Sequence, residues 1–193
     1  MPVAILSMDR TNSLPLEGKV GAKRSDEVTK AVFFDRDGTL NVDVHYLHRP
    51  EDFIWIPEAK EAIKYVNDLG YLAILVTNQS GVARGYYPEE DVRKVYDWMN
   101  AELDKIGAHL DALYFCPHHP AGKVPQYTKA CACRKPQTGM VDKACSDYGI
   151  DRSQSFFVGD SDGDMECAQR AGLTGIRYAA GSLLARLQDI ICK

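Results

Sequence analysis

The chain has 193 residues, 45% apolar and 26% charged, which is the composition of an ordinary soluble globular protein with one domain. Its 23 lysines and arginines against 27 aspartates and glutamates give a net charge of −4, which argues against non-specific nucleic-acid binding. The sequence contains neither a run of ~18 apolar residues for a membrane span nor a signal-peptide pattern, so we expect a cytoplasmic protein without a membrane or nucleic-acid partner.

Short apolar runs alternate with amphipathic segments from residue 30 onward. Residues 1–29 have no sustained period, and we predict a flexible extension there with room for one ordered stretch. Strands are predicted at 31–34, 71–76, 112–115, 155–158 and 174–178, and helices at 57–69, 88–106, 140–148, 163–171 and 183–191. This alternation indicates one α/β domain over residues 30–193, with a central parallel sheet and helices on both faces.

Polar side chains follow the predicted strands, where the ligands of such sheets bind. Asp35 and Asp37 follow the first strand, Thr77-Asn78-Gln79-Ser80 the second, and Asp160 the fourth. Lys135 lies on the irregular stretch between the third and fourth strands. Acidic groups that converge on one point repel each other unless a cation neutralises them, and oxygen ligands favour Mg²⁺.

The string Asp35-Arg36-Asp37-Gly38 has two other readings when it is taken alone. Asp and Gly are common in turns, so a polar turn is one alternative. A calcium loop of the EF-hand type is the second, but Leu40 stands where that loop needs Gly, and Tyr46 where it needs a bidentate Glu. The polar segments at the ends of the other strands favour a functional site over a plain turn.

Four potential soft metal ligands flank the irregular stretch after the third strand. Cys116-Pro117-His118 precedes a 12-residue gap, and Cys131-Ala132-Cys133 follows it. Three sulfurs and one nitrogen form a set that Zn²⁺ prefers in closed structural sites. His119 competes with His118 for the fourth position, and buried reduced thiols are the alternative to a metal site. A zinc-clamped loop would hold Arg134 and Lys135 toward the carboxylates.

In chain order, Asp35-x-Asp37-Gly38-Thr39, Thr77, Lys135 and Asp160 resemble the four motifs of the haloacid dehalogenase (HAD) superfamily of phosphatases. The resemblance runs from Lys30 to the C-terminus and implies a Rossmann-like fold, here without a separate cap domain. It also implies that Asp35 attacks phosphorus and that Asp37 serves as general acid and base. Thr77 and Lys135 would hold phosphoryl oxygens. Asp35, Asp160 and the backbone carbonyl of Asp37 would bind Mg²⁺.

Within that superfamily, the Cys-Pro-His-His-Pro and Cys-x-Cys-Arg-Lys-Pro strings are similar to a branch of heptose bisphosphate and histidinol phosphatases. The resemblance favours His118 as the zinc ligand and implies that Arg134 recognises substrate. The strings around Asp43, Tyr46, Asn78, Gln79 and Ser80 resemble the heptose enzymes and mark substrate-binding positions. Ser161 departs from this branch, which often has Lys there, so one phosphate contact of the family is missing.

The expected activity is Mg²⁺-dependent removal of the 7-phosphate of a heptose 1,7-bisphosphate, in nucleotide-activated heptose biosynthesis, by a monomer. The alternative is a histidinol phosphatase or another small-molecule phosphatase of the same branch. A zinc-stabilised binding module without catalysis is the third reading, but such a module needs none of the five motif residues.

Overall fold

The computed structural model describes residues 4–7 and 28–191, and its sheet has six strands. The strands are β1 (Ala4–Ser7), β2 (Ala31–Phe34), β3 (Leu72–Asn78), β4 (Ala112–Cys116), β5 (Phe156–Gly159) and β6 (Thr174–Arg177). The helices are α1 (Ala59–Asp68), α2 (Ser80–Arg84), α3 (Glu89–Asp104), α4 (Gly139–Tyr148), α5 (Asp162–Ala171) and α6 (Leu183–Ile191). Three 3₁₀ turns lie at Pro50–Asp52, Pro125–Tyr127 and Arg152–Gln154.

The strands follow the order β1-β4-β3-β2-β5-β6 across the sheet. Strands β2 to β6 all run parallel to one another, which confirms the predicted α/β fold with a parallel sheet. Strand β1 differs, because it pairs antiparallel with β4 and so closes one edge. Most of the predicted flexible extension lies outside the described residues, but Ala4–Ser7 of that extension forms an edge strand.

The two faces of the sheet pack on different helices because successive side chains of a strand point to opposite sides. Val32 and Phe34 of β2 join a buried cluster with apolar residues of α1, α3 and α6. Ala31 and Phe33 join a second cluster with α4 and α5, where the Phe33 ring stacks on that of Phe157 at 6.3 Å between centroids. Both faces are covered, so β2 is an uninterrupted apolar run.

The central position of β2 between β3 and β5 determines where the polar strand ends meet. Residues that directly follow these strands lie at one edge of the sheet, since parallel strands share a direction. Two local features differ from the prediction: β3 runs on to Asn78, and Ser80–Arg84 forms the short helix α2. A five-residue helix is too short to show a hydrophobic period. Within the described ranges, none of the helices has the length and hydropathy to cross a membrane.

We predict that a variant beginning at Lys30 is less stable and more prone to self-association than the full chain. Without β1, the unpaired backbone groups of β4 form an open edge that can pair with another copy. If β1 contributes about 1 kcal/mol, the thermal midpoint falls by roughly 2–4 °C in a chain of this size. Calorimetry and size-exclusion chromatography at matched concentrations measure both effects. Identical midpoints and elution profiles would show that β1 adds nothing.

Candidate active site

Three carboxylates and one buried ammonium group cluster at the carboxyl ends of β2 and β5. Asp35 follows β2, Asp160 follows β5, and Asp164 lies in the first turn of α5. One oxygen from each lies within 4.8 Å of the others. Lys135 Nζ is 2.7 Å from both Asp35 Oδ1 and Asp164 Oδ1, and it donates to the Val76 carbonyl oxygen at 3.0 Å. The predicted juxtaposition of Asp35, Asp160 and Lys135 is therefore present in the structure.

Burial and charge shift the titration of this cluster. Burial raises the pKa of Asp35 to about 7, against the opposing effect of Lys135. Burial and then Asp164 raise the pKa of Asp160. Burial alone would lower the pKa of Lys135, but Asp35 and Asp164 raise it above its ordinary value. The lysine therefore stays charged, and the oxygens of the three carboxylates alone form the donor set that fits Mg²⁺.

The segment that carries Lys135 is fixed to the end of β3 by the side chain of Asn78. The Lys135 backbone N–H donates to Asn78 Oδ1 at 3.0 Å, and Asn78 Nδ2 donates to the Lys135 carbonyl oxygen at 3.1 Å. These paired bonds join residues far apart in the chain. The Asn78 amide therefore holds the backbone from which the lysine reaches the carboxylates.

Asp37 is held by donors from three sides. Arg36 Nη2 lies 2.9 Å from both carboxylate oxygens of Asp37, and Asn41 Nδ2 donates to its Oδ1 at 3.2 Å. Gln79 Nε2 donates to Asp37 Oδ2 at 3.1 Å and to Thr77 Oγ1 at 2.9 Å. The Asp37 side chain is 24% exposed, so the carboxylate keeps an open side.

The open side of Asp37 faces a cavity of about 220 Å³. Its lining residues are Asp37, Asp43, His45, Tyr46, Asn78, Gln79, Ser80 and Tyr87. Five of the predicted substrate-binding residues are thus brought together. Arg134, the sixth, is not part of this lining, and its Nη1 donates to the His118 carbonyl oxygen at 3.5 Å. His45 and Tyr46 have φ of 57° and 56°, a sparsely populated backbone region that often occurs at functional sites.

The predicted thiol cluster is also assembled. The sulfur atoms of Cys116, Cys131 and Cys133 lie 3.2–3.5 Å apart, and His118 Nδ1 lies 3.7 Å from Cys116 Sγ and 3.4 Å from Cys133 Sγ. Tetrahedral zinc, with bonds of ~2.3 Å to sulfur, separates two sulfur ligands by about 3.8 Å, whereas a disulfide needs ~2.05 Å. His119 faces elsewhere, since its Nδ1 accepts from the Ala121 N–H at 3.0 Å. The donor set and its spacing fit Zn²⁺.

Comparison with known proteins identifies the family. The model of the polynucleotide kinase 3 phosphatase family matches residues 30–179. A D-glycero-beta-D-manno-heptose-1,7-bisphosphate 7-phosphatase of Haemophilus ducreyi is 48% identical over 145 residues, which are 75% of this chain and 79% of the relative. A Rhodopseudomonas palustris protein with the same name is 43% identical over 77% of this chain and 82% of its own. The chain belongs to the HAD superfamily of phosphatases.

A solved structure of the same superfamily agrees with this assignment. The D,D-heptose 1,7-bisphosphate phosphatase of B. bronchiseptica, complexed with magnesium and phosphate, is 31% identical to this chain with a TM-score of 0.71. The match covers 84% of this chain and 87% of the other. The described residues thus have the HAD fold, and magnesium is the metal bound in that relative.

Asp164 is a site residue that the sequence analysis missed. It is 1% exposed, and Ser161 and Asp164 form a capping box at the start of α5. Asp164 Oδ2 accepts from the Ser161 N–H at 3.1 Å and from Ser161 Oγ at 2.6 Å, while Oδ1 faces Lys135. The signal was the Ser-x-x-Asp spacing, which is typical of a helix start. Ser161 therefore serves as the helix cap.

We predict that Gly38→Ala disables the site. Gly38 has φ of +81°, and a Cβ there would overlap the Asp160 carboxylate, which would have to move. A displacement of about 1 Å among catalytic groups can cost roughly 100-fold, and we expect a loss of that size in kcat/KM. Phosphate release from any accepted phosphomonoester measures it.

Gly70→Ala is the matched control for the backbone strain. Gly70 has φ of +77°, and a Cβ there would have no neighbouring atom within 4 Å. Both variants therefore pay for a left-handed alanine, about 1–2 kcal/mol, but only one disturbs a carboxylate. Equal losses of activity in the two variants would contradict a role for the Gly38–Asp160 contact.

Proposed function

We propose that this phosphatase removes the 7-phosphate of D-glycero-D-manno-heptose 1,7-bisphosphate. The observation that carries the proposal is the convergence of Asp35, Asp37 and Lys135 beside a polar cavity, in a chain whose relatives bear that enzyme's name. The cavity has room for a small sugar phosphate and offers hydroxyl and amide donors, which suit phosphate and sugar oxygens.

In the first step, an Asp35 carboxylate oxygen forms a bond to the 7-phosphorus as the bond from phosphorus to the sugar oxygen breaks. Asp37 gives its proton to that leaving oxygen, so the sugar departs as an alcohol. Lys135 and Thr77 hold the transferring phosphoryl oxygens. The product of this step is an aspartyl phosphate on Asp35.

In the second step, water attacks the phosphorus of the aspartyl phosphate and gives a proton to the Asp37 carboxylate. The bond from phosphorus to the Asp35 oxygen breaks, which releases phosphate and restores both residues. Phosphoryl transfer depends above all on positioning and charge neutralisation. The cluster of carboxylates around Lys135 can provide both.

Mg²⁺ is the proposed catalytic cofactor, held by Asp35, Asp160 and the backbone carbonyl of Asp37. Asp164 belongs to the same cluster of oxygens. When bound, the cation neutralises charge on the phosphoryl oxygens and on the carboxylates. Lys135 is the complementary fixed positive charge on the protein itself.

Zn²⁺ is the proposed structural cofactor, held by Cys116, His118, Cys131 and Cys133. Cys133 directly precedes Arg134 and Lys135. A clamp at Cys133 would restrict the backbone from which both cations extend. The metal would therefore support catalysis without touching substrate.

We predict one zinc per chain, and loss of that zinc in Cys131→Ser. Because structural zinc contributes folding free energy directly, the thermal midpoint should fall by roughly 5–10 °C, as about 2–3 kcal/mol would produce in a chain of this size. Activity should fall too, through displacement of Lys135. Elemental analysis and calorimetry measure the first two effects.

Cys145→Ala is the matched control, because Cys145 is a buried free thiol outside the cluster. It should retain full zinc. Carefully purified protein without stoichiometric zinc, or equal zinc in both variants, would defeat the zinc proposal.

The preference between substrates is proposed to depend on Arg134. A half-buried planar cation can pair bidentately with the phosphate that remains on the sugar. Histidinol phosphate has no second phosphate, and its ammonium group would approach Arg134 and Lys135 unfavourably. A charge-assisted contact is worth about 1.5–3 kcal/mol, or roughly 10- to 100-fold in specificity.

We predict a kcat/KM for heptose 1,7-bisphosphate that exceeds the value for histidinol phosphate by roughly 10- to 100-fold. Arg134→Ala should narrow the preference, Arg170→Ala on the surface of α5 should leave it unchanged, and Asp35→Asn should abolish turnover. Phosphate release with both anomers of the bisphosphate, histidinol phosphate and a 3′-phosphorylated oligonucleotide provides the comparison. Better hydrolysis of histidinol phosphate would support the alternative function, and better hydrolysis of the oligonucleotide would support a polynucleotide phosphatase.

The enzyme is also proposed to act as a cytoplasmic monomer on a small phosphorylated sugar. A reducing compartment keeps thiols available for zinc, which supports that location. The domain assignment, with 30–193 as the catalytic unit and 1–29 as an extension, is part of the same proposal. All candidate catalytic and metal-binding residues lie between Asp35 and Asp164, inside that catalytic unit, which supports the assignment.

A further inference from the structure

Arg36 is a buried cation that none of the steps above uses. It stands between the proposed nucleophile Asp35 and the proposed acid Asp37, and it is 1% exposed. A fully buried arginine is costly unless charged and polar partners surround it. The hydrogen-bond partners of Arg36 therefore indicate the role of this side chain.

Those partners are the acid and the loop that lines the cavity. Arg36 Nε donates to Asp37 Oδ1 at 3.1 Å, and Nη2 lies 2.9 Å from both Oδ1 and Oδ2. Nη2 also donates to the Leu47 carbonyl oxygen at 2.8 Å. Leu47 is buried next to the cavity residues Asp43, His45 and Tyr46. One guanidinium thus links the acid to the segment that would face the substrate.

A second chain of contacts reaches Asp37 through the side chain of Gln79. Gln79 is 2% exposed, and its Oε1 accepts from the Tyr87 hydroxyl at 2.7 Å and faces Arg36 Nη2 at 3.4 Å. These bonds to Oε1 orient the amide so that Nε2 donates to Asp37 Oδ2. The Tyr87 ring stacks on His48, with centroids 4.9 Å apart and planes at 6°. This chain of contacts also begins in the loop that follows β2, at His48.

We infer that Arg36 is a positioning residue, which with Gln79 and Tyr87 holds the Asp37 carboxyl group for proton transfer to the leaving oxygen. The inference rests on the proposed role of Asp37. A planar fork that contacts both oxygens restricts rotation of the carboxyl group, and a lysine ammonium cannot reproduce that contact. Gln79 then contributes by orienting Asp37, in addition to the substrate contact proposed for it.

The test uses substrates that differ in their need for a proton. A sugar leaves as an alkoxide unless it is protonated, whereas p-nitrophenolate is a stable anion and leaves without help. General acid catalysis is worth about 100- to 10,000-fold, so Arg36→Met should lower kcat/KM for heptose 1,7-bisphosphate by roughly 100-fold. The value for p-nitrophenyl phosphate should fall by less than about fivefold, since only the proton transfer is impaired.

Four further variants keep the inference testable even if Arg36→Met folds poorly. Tyr87→Phe removes one hydroxyl and keeps the stacked ring, and we expect it to change the ratio of the two kcat/KM values by roughly fivefold, as the loss of one hydrogen bond implies. Arg36→Lys keeps the charge without the fork and should restore only part of the loss. Asp37→Asn removes the proposed acid itself, so its change in the ratio is the upper limit for variants that act through Asp37. Arg152→Gln, which loses an ion pair to Asp142 and a bond to the Ala171 carbonyl, should leave the ratio unchanged.

The outcomes separate this inference from the proposed function. If kcat/KM falls equally for both substrates in Arg36→Met and Tyr87→Phe, the positioning role is wrong. Arg36 would then only stabilise the loop that contains Leu47. If the wild type does not hydrolyse the bisphosphate, the proposed substrate is wrong. The same ratio can then be measured with whichever alkyl phosphate the wild type accepts.

Discussion

The buried ammonium group of Lys135 is the interaction on which the rest of the site depends. Lys135 is nearly inaccessible, and its charge is supported by Asp35, Asp164 and a carbonyl oxygen of β3. Removing one partner from a buried ion cluster leaves an uncompensated charge, which costs several kcal/mol. The nucleophile, the first turn of α5 and the end of β3 are therefore held together by one side chain.

Lys135 itself lies on a segment with no regular secondary structure, so its position needs other supports. Asn78 holds its backbone on one side, and the thiol cluster ends at Cys133, two residues before it. A loop of this kind buries little apolar surface of its own. Hydrogen bonds and the proposed zinc site take over the role that packing has in the helices and strands.

The end of β3 contributes both to the proposed phosphate binding and to the proposed protonation of the leaving oxygen. Asn78 bonds to the lysine segment, and the Gln79 amide donates to both Thr77 and Asp37. The same short stretch thus connects the groups proposed to hold phosphate with the group proposed to protonate the leaving oxygen. Its backbone passes directly into α2, which was not predicted because five residues cannot show a helical period.

The sequence by itself determined the parallel α/β fold, the polar strand ends and the metal-type ligand sets, because each rests on local periodicity, residue type or motif. Only the tertiary structure revealed the edge strand β1, the inward turn of Asp164 and the contacts of Arg36 with Asp37 and Leu47. A four-residue segment of three apolar residues and one serine, a helix-capping aspartate and an arginine beside a strand each have many local conformations. Their partners are chosen by pairing and burial between distant segments, which no short pattern of residues records.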